Sequence, residues 1–210
     1  PKDVFAGGKQ KVWWKCPESE DHIWQATLNH RRSGTGCPFC QGLSVTKSNS
    51  LAETHPNIAK EWHPTKNGDL SPQDVVEGSE KKVWWKCPEG DDHEWIVSIA
   101  NRSNGHGCPY CSGNKVSKTN NFLTKFPKVA KEWHPTKNGK ITPLDIVSGS
   151  NKKVWWKCDQ GPDHEWQAVV SMRTKNAYGC PFCSNKKVSV TNSLASLYPE
   201  IAAQWHPIKI

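Results

Sequence analysis

Methionine occurs once in these 210 residues, tyrosine three times and phenylalanine five times. Hydrophobic residues make up only 35 %, which is thin for one large core, and the length allows one or two domains. No stretch approaches the run of about 18 apolar residues that a membrane-spanning helix needs, so such a helix is excluded. No signal-peptide pattern opens the chain, which starts at Pro1 as an excised or processed piece of something longer would. No Ser/His/Asp set, carboxylate pair or phosphate-binding glycine motif recurs, so no catalysis is expected of this segment. An even cysteine count, usual for a secreted disulfide framework, is missing too: there are nine.

Tryptophan is present in excess, with twelve copies. Basic residues outnumber acidic ones 28 to 20, a formal charge of +8. That balance permits a polyanionic partner without proving one.

The repeats explain both counts. Val-Trp-Trp-Lys-Cys occupies 12–16, 83–87 and 154–158, at intervals of 71 residues. Cys-Pro-aromatic-Cys occupies 37–40, 108–111 and 180–183, and Trp-His-Pro occupies 62–64, 133–135 and 205–207. Pro-Lys-Asp-Val at 1–4 aligns with Pro72-Gln-Asp-Val and Pro143-Leu-Asp-Ile. The chain therefore divides into three units, 1–71, 72–142 and 143–210, each with three Cys and four Trp. Three thiols cannot all pair within one unit, which argues for metal in a reducing, intracellular setting. A unit of about 70 residues is also at the lower edge of what an unassisted core stabilises.

Within unit 1, residues 11–16 read as a strand and 23–28 as its partner, with Trp24, Ala26 and Leu28 alternating. Ser33-Gly-Thr-Gly36 is a turn into Cys37, and Arg31 falls on the loop before it. Ser50 and Glu53 are spaced as a capping box, and Leu51, Ile58 and Trp62 follow helical spacing. Pro56 interrupts that pattern, so a broken helix, or one restarting with Pro56 at N1, is expected.

Each unit carries Cys-x5-His followed by Cys-x2-Cys: Cys16, His22, Cys37, Cys40; Cys87, His93, Cys108, Cys111; Cys158, His164, Cys180, Cys183. Three thiolates and an imidazole are a tetrahedral zinc set, whereas an iron–sulfur cluster usually takes four thiolates. A second histidine recurs at His63, His134 and His206. The first is favoured as the ligand because a turn delivers it locally, and the second suits a helix end. Four protein ligands make a closed, structural site. Three zinc ions bound by three thiolates each would lower +8 to about +5.

The motifs Asn-Ser-Leu-Ala, Pro-x-Ile-Ala-x-Glu-Trp-His-Pro-Thr-Lys-Asn-Gly, Lys-Lys-Val-Trp-Trp-Lys-Cys, His-Glu-Trp and Gly-Cys-Pro-x-Cys resemble the treble-clef or zinc-ribbon repeat family (DUF4379) over essentially the whole chain. The resemblance implies small α+β metal-stabilised modules, three tandem zinc-finger repeats each with a short β-hairpin and a short broken helix. It also implies tandem arrays, in some members beside a restriction- or repair-type nuclease domain, and hence a DNA-targeting role. No nuclease motif is present in this chain.

Several basic positions recur: Lys11, Lys82 and Lys153; Lys15, Lys86 and Lys157; Arg31, Arg102 and Arg173. These are the candidate nucleic-acid contacts. For the arginines, a salt bridge to Glu61-type acids is an equal alternative. Alternation sends Trp13 and Trp14 to opposite faces, one covering the zinc site and the other meeting the helix that carries Trp62. The leading functional expectation is a non-catalytic array binding double-stranded DNA, with no membrane or small-molecule partner. The alternatives are an RNA or single-strand binder, stacking bases on Trp and on Phe39, Tyr110 and Phe182, and a protein scaffold favoured by acidic clusters at 18–21 and 89–94. A domain or protein partner outside this segment is a further expectation.

Overall fold

A computed structural model describes residues 2, 5, 7–175 and 179–206. Most of the first repeat's opening Pro-Lys-Asp-Val string, and Pro207 of the last Trp-His-Pro, lie outside the described residues. The chain divides into two compact units, 1–108 and 109–210.

The first unit contains two antiparallel hairpins. In one, β1 (Lys11–Lys15) pairs with β2 (Ile23–Thr27), placing Trp14 opposite Trp24. Thr27 then caps α1 (Leu28–Arg32) by accepting from the His30 N–H. The short helices α2 (Leu51–Thr54) and α3 (Pro56–Ala59) follow, with Pro56 at the first position of the second. The other hairpin joins β3 (Lys82–Lys86) to β4 (Glu94–Ser98), Trp85 opposite Trp95, and leads into α4 (Ile99–Ser103). The second unit repeats the plan. It has α5 (Phe122–Lys125), α6 (Pro127–Ala130), the hairpin β5 (Lys153–Lys157) with β6 (Glu165–Val169), α7 (Val170–Lys175), α8 (Leu194–Leu197) and α9 (Pro199–Ala202).

A two-stranded ribbon is marginal alone and must be covered. The inward face of the second hairpin carries Val83, Trp85 and Trp95, all buried, and the Trp85 indole N–H donates to the Val97 carbonyl at 3.1 Å. Its cover comes from the residues before it. Trp62 sits edge-on to Trp85 at 5.4 Å, the His63 N–H donates to the Trp84 carbonyl, and the Lys86 N–H donates to the Glu61 carbonyl at 2.7 Å. In the second unit Trp133 covers Trp156 at the same 5.4 Å, above a core of Phe122, Ile146, Trp156 and Val170. Burying one Trp removes about 150–250 Å² from water. At ~25 cal/mol/Å² that is roughly 4–6 kcal/mol, more than any single ion pair here supplies.

Three local expectations need correction. Trp62 meets the Trp85 of the following hairpin, not Trp13 or Trp14. Arg31 lies on a helix, not a loop, because Thr27 supplies an N-cap where a continuing strand was expected. Ser50 makes no side-chain cap; its hydroxyl donates to the Lys47 carbonyl instead, so the capping box with Glu53 does not form.

Candidate metal centres

Each hairpin delivers two donors and each Cys-Pro-x-Cys knuckle two more. Cys16 directly follows β1, and its N–H bonds the His22 carbonyl at 3.0 Å, so the turn between them presents both side chains together. The knuckle follows α1, and its loop is closed by one asparagine. Asn49 donates to the carbonyls of Phe39 and Ser44, both at 2.9 Å, and accepts from the Thr46 N–H at 2.7 Å. Asn120 and Asn192 make the same three bonds in their repeats. The residue after each knuckle that enters the left-handed region is Gly42, Gly113 or Asn185, the types that tolerate it.

Four donors converge in each repeat: Cys16, His22, Cys37 and Cys40; Cys87, His93, Cys108 and Cys111; Cys158, His164, Cys180 and Cys183. Their separations fit one tetrahedral ion. With Zn–S about 2.3 Å and Zn–N about 2.0 Å, tetrahedral edges are about 3.8 Å for S···S and about 3.5 Å for S···N. The first repeat has Cys16 Sγ to Cys40 Sγ at 3.6 Å, and His22 Nδ1 to Cys37 and Cys40 at 3.7 and 3.4 Å. The third has 3.7 Å for Cys158 to Cys183, and 3.6 and 3.5 Å from His164 Nδ1 to Cys180 and Cys183. Desolvation, and then the neighbouring sulfurs, push the thiols of Cys40 and Cys183 up to about 12. Bound zinc would supply the positive charge that holds such thiols as thiolates. The chain thus carries three Cys3His zinc sites, one per repeat.

The imidazoles are oriented from behind. Nδ1 faces the sulfurs, so Nε2 carries the proton and donates to Ser48 Oγ at 3.2 Å in the first repeat. Ser48 Oγ in turn donates to Asp21 at 2.7 Å, and hydroxyl donors, Ser19 first, hold the Asp21 carboxyl well below the usual range. In the third repeat His164 Nε2 meets Thr191 Oγ1 at 2.8 Å and Ser189 Oγ at 3.1 Å. Phe39 and Phe182 stack on the ligand imidazoles at 5.2 and 5.0 Å. Their rings are therefore engaged within the fold. These orienting hydroxyls were not anticipated, although a signal existed: a Ser or Thr followed by Asn recurs eight residues after each knuckle's second Cys.

The second recurring histidine has a different job. His63 is buried; its Nδ1 accepts from the Thr65 and Lys66 N–H groups, and its Nε2 lies 3.2 Å from Glu94. His134 repeats this with Thr136, Lys137 and Glu165. Both join a turn to the next hairpin.

The arginines are also committed internally. Arg102 is 5 % exposed, lies between the Trp85 and Trp95 rings, and pairs with Glu61 at 2.7 Å. Arg173 lies between Trp156 and Trp166 and pairs with Glu132. Arg31 lies between Trp14 and Trp24, with no carboxylate partner among the described residues. The lysines are placed differently. Lys11, Lys15, Lys82, Lys153 and Lys157 are exposed and Lys86 is partly so. Lys86 and Lys157 pair with Glu94 and Glu165 at 3.4 and 3.1 Å.

A model of the "probable treble clef zinc finger domain" matches residues 1–43, 58–114 and 129–186. The chain is also similar to the SPbeta prophage-derived uncharacterized protein YomD of Bacillus subtilis (strain 168), 27 % identical over 111 residues. That match covers 53 % of this chain and 37 % of the relative, so the chain spans well under half of that relative's length. No helix among the described residues is long and apolar enough to cross a membrane.

Proposed function

The chain belongs to the treble clef zinc finger family, and from that membership we propose that it is a non-catalytic, intracellular nucleic-acid-binding array that engages double-stranded DNA. The observation that carries this reading is the solvent face of the hairpins. Strand alternation puts Lys11, Trp13 and Lys15 on the outer face of β1, Lys82, Trp84 and Lys86 on that of β3, and Lys153, Trp155 and Lys157 on that of β5. The same basic–aromatic–basic stripe is therefore presented three times, and a two-stranded ribbon fits the major groove of a duplex.

Duplex is favoured over single strands because two of the three aromatic faces are occupied. Lys66 sits 4.7 Å over Trp84 and Lys137 4.7 Å over Trp155, each also paired with the glutamate of that hairpin, Glu94 or Glu165, which denies bases a platform there. Trp13 is the exception, 67 % exposed, and it supports a second reading in which the first hairpin stacks an unpaired base. The buried arginines play no part in the proposed contact surface. In a longer protein the array would be the targeting part beside a DNA-processing domain.

The test is fluorescence anisotropy of the zinc-loaded chain with labelled duplex DNA, single-stranded DNA and RNA across a salt series. A log–log slope of about −4 or steeper on duplex is expected, with a slope shallower by roughly 0.9 for each phosphate-contacting lysine removed among Lys11→Gln, Lys82→Gln and Lys153→Gln. A slope near zero, or no binding at low salt, sinks the reading and leaves a protein-docking scaffold.

A further inference from the structure

The donors of each metal site are not equally covered. In every repeat the last cysteine in sequence is the open one: Cys40, Cys111 and Cys183 are exposed, Cys37 is partly covered, and the other five are buried. Cys40 and Cys111 keep that exposure with a following repeat folded beside them. Cys40 and Gly42 lie on one wall of an open cleft whose other wall is residues 76–78 of the next repeat. Cys111 and Gly113 line a second such cleft with residues 147–149. A side chain at Gly42 would meet only Val76, at 3.9 Å, and one at Gly78, Gly113 or Gly149 would meet nothing within 4 Å. Both clefts are therefore open beside the sulfur.

Each open sulfur also has a buried one within reach. Cys16 Sγ lies 3.6 Å from Cys40 Sγ, and Cys158 Sγ lies 3.7 Å from Cys183 Sγ. Bound zinc holds both members of such a pair as thiolates, the form that attacks an electrophile. The two sulfurs of the knuckle differ as well. Cys37 accepts from the Cys40 and Phe39 N–H groups, which draws electron density away from its sulfur. An accessible thiolate beside a second, sheltered one is the arrangement of an oxidation-sensitive cysteine with its resolving partner.

We propose that Cys40, Cys111 and Cys183 are sites of oxidation by hydrogen peroxide, each resolved by the hairpin cysteine of its own repeat, Cys16, Cys87 or Cys158. The Cys40 thiolate attacks one peroxide oxygen. The O–O bond breaks, hydroxide leaves, and the sulfur carries the other oxygen as a sulfenic acid. The Cys16 thiolate then attacks that sulfur, so that an S–S bond forms, the S–O bond breaks and a second hydroxide leaves. The two thiolates have lost two electrons, the peroxide has gained them, and solvent protonates both hydroxides to water. The disulfide sulfurs carry no charge to hold a metal, so the zinc departs and the repeat loses the folding energy it supplied.

The zinc-loaded full chain, without nucleic acid, tests this with two probes. A brief pulse of limiting iodoacetamide, read by peptide mapping, places the first label of each site on Cys40, Cys111 and Cys183. Hydrogen peroxide releases all three zinc ions to a chromophoric chelator, with disulfides mapping to Cys16 and Cys40, Cys87 and Cys111, and Cys158 and Cys183. Dithiothreitol and added zinc restore the sites. Cys40→His keeps four donors without the open thiolate, so one of the three ions stays bound at a peroxide concentration that strips the wild type. Cys37→His keeps Cys16 and Cys40 and releases its zinc as the wild type does. Three results each overturn the proposal: first labelling of Cys37, Cys108 or Cys180, disulfides between the two knuckle cysteines, or equal zinc loss from the two variants. Where Cys40→His fails to load zinc, the labelling order and the disulfide map of the wild type decide.

Discussion

Trp14 and Trp85 hold the same position in two hairpins whose first strands share the sequence Lys-Val-Trp-Trp-Lys, and have different surroundings. Trp85 is roofed by Trp62, its strand edge is taken by residues 61–63, and the guanidinium beside it is matched by Glu61. Trp14 has its cross-strand Trp24 and Arg31 but no roof among the described residues. The hairpin and knuckle hold the metal, and the helix pair before them supplies much of the core. A hairpin without that pair relies more heavily on its zinc.

Metal removal should sharpen this contrast most. Zinc contributes on the order of 10 kcal/mol to folding in small finger domains. On chelation the β1–β2 amides should lose hydrogen-exchange protection entirely, while β5–β6 amides, above Phe122 and Trp156, keep part of theirs. Equal loss in both would mean that the helix pair adds nothing once zinc is gone. Next in size is truncation of the tryptophans. Trp85→Ala should cost about 3–5 kcal/mol by exchange of the β3–β4 amides, in the range for buried aromatics. Trp14→Ala should cost less than half as much, since less area is buried.

Glu61→Gln and Glu132→Gln come third. Each leaves a buried guanidinium with a weaker partner, at roughly 1–3 kcal/mol, discounted from a fully buried pair because the glutamates are about a third exposed. Thermal melts of the second and third hairpins should move and that of the first should not. The fourth effect depends on pH. Glu94 and Glu165 are lowered from 4.5 to about 2, in both cases first by the lysine of the preceding turn, Lys66 or Lys137. A lowered carboxyl pKa contributes stability present in full above pH 4.5 and lost as pH falls toward 2. The first hairpin has Ile23 at that position and lacks this contribution. Replacing Glu94 with Gln should remove it from the second hairpin, read from exchange rates against pH. Smallest is Gly42→Ala, at about 1 kcal/mol for a side chain at φ +68°, seen as faster zinc release from the first site alone.

The ligand set was legible because its parts are local. A hairpin turn brings Cys16 and His22 together, and a four-residue knuckle brings Cys37 and Cys40 together, so spacing alone specified both halves of each tetrahedron. The hairpins and the Pro56 break were legible for the same reason. For the arginines the sequence offered the pairing with Glu61-type acids only as one of two equal readings. Arg102 and Glu61 lie 41 residues apart, and a recurring basic residue reads alike whether it faces solvent or a buried carboxylate. The histidine-orienting hydroxyls were hidden likewise, 26 residues from His22 in the case of Ser48.

Local spacing was enough to set the period of the array, the twelve metal donors and the alternation along each first strand. The phase depended on contacts between residues far apart in the chain. A chain that repeats every 71 or 72 residues offers the α2–α3 and α5–α6 pairs two hairpins each, one before and one after, and periodicity cannot choose between them. Loop closure barely chooses either, since doubling the loop costs only about 0.6 kcal/mol. The choice is made by specific partners on the following hairpin. Asn67 bonds both backbone groups of Trp84, Lys66 reaches Glu94, and Glu61 reaches Arg102. The first hairpin offers Ile23 in place of that glutamate, and the helix pair folds forward.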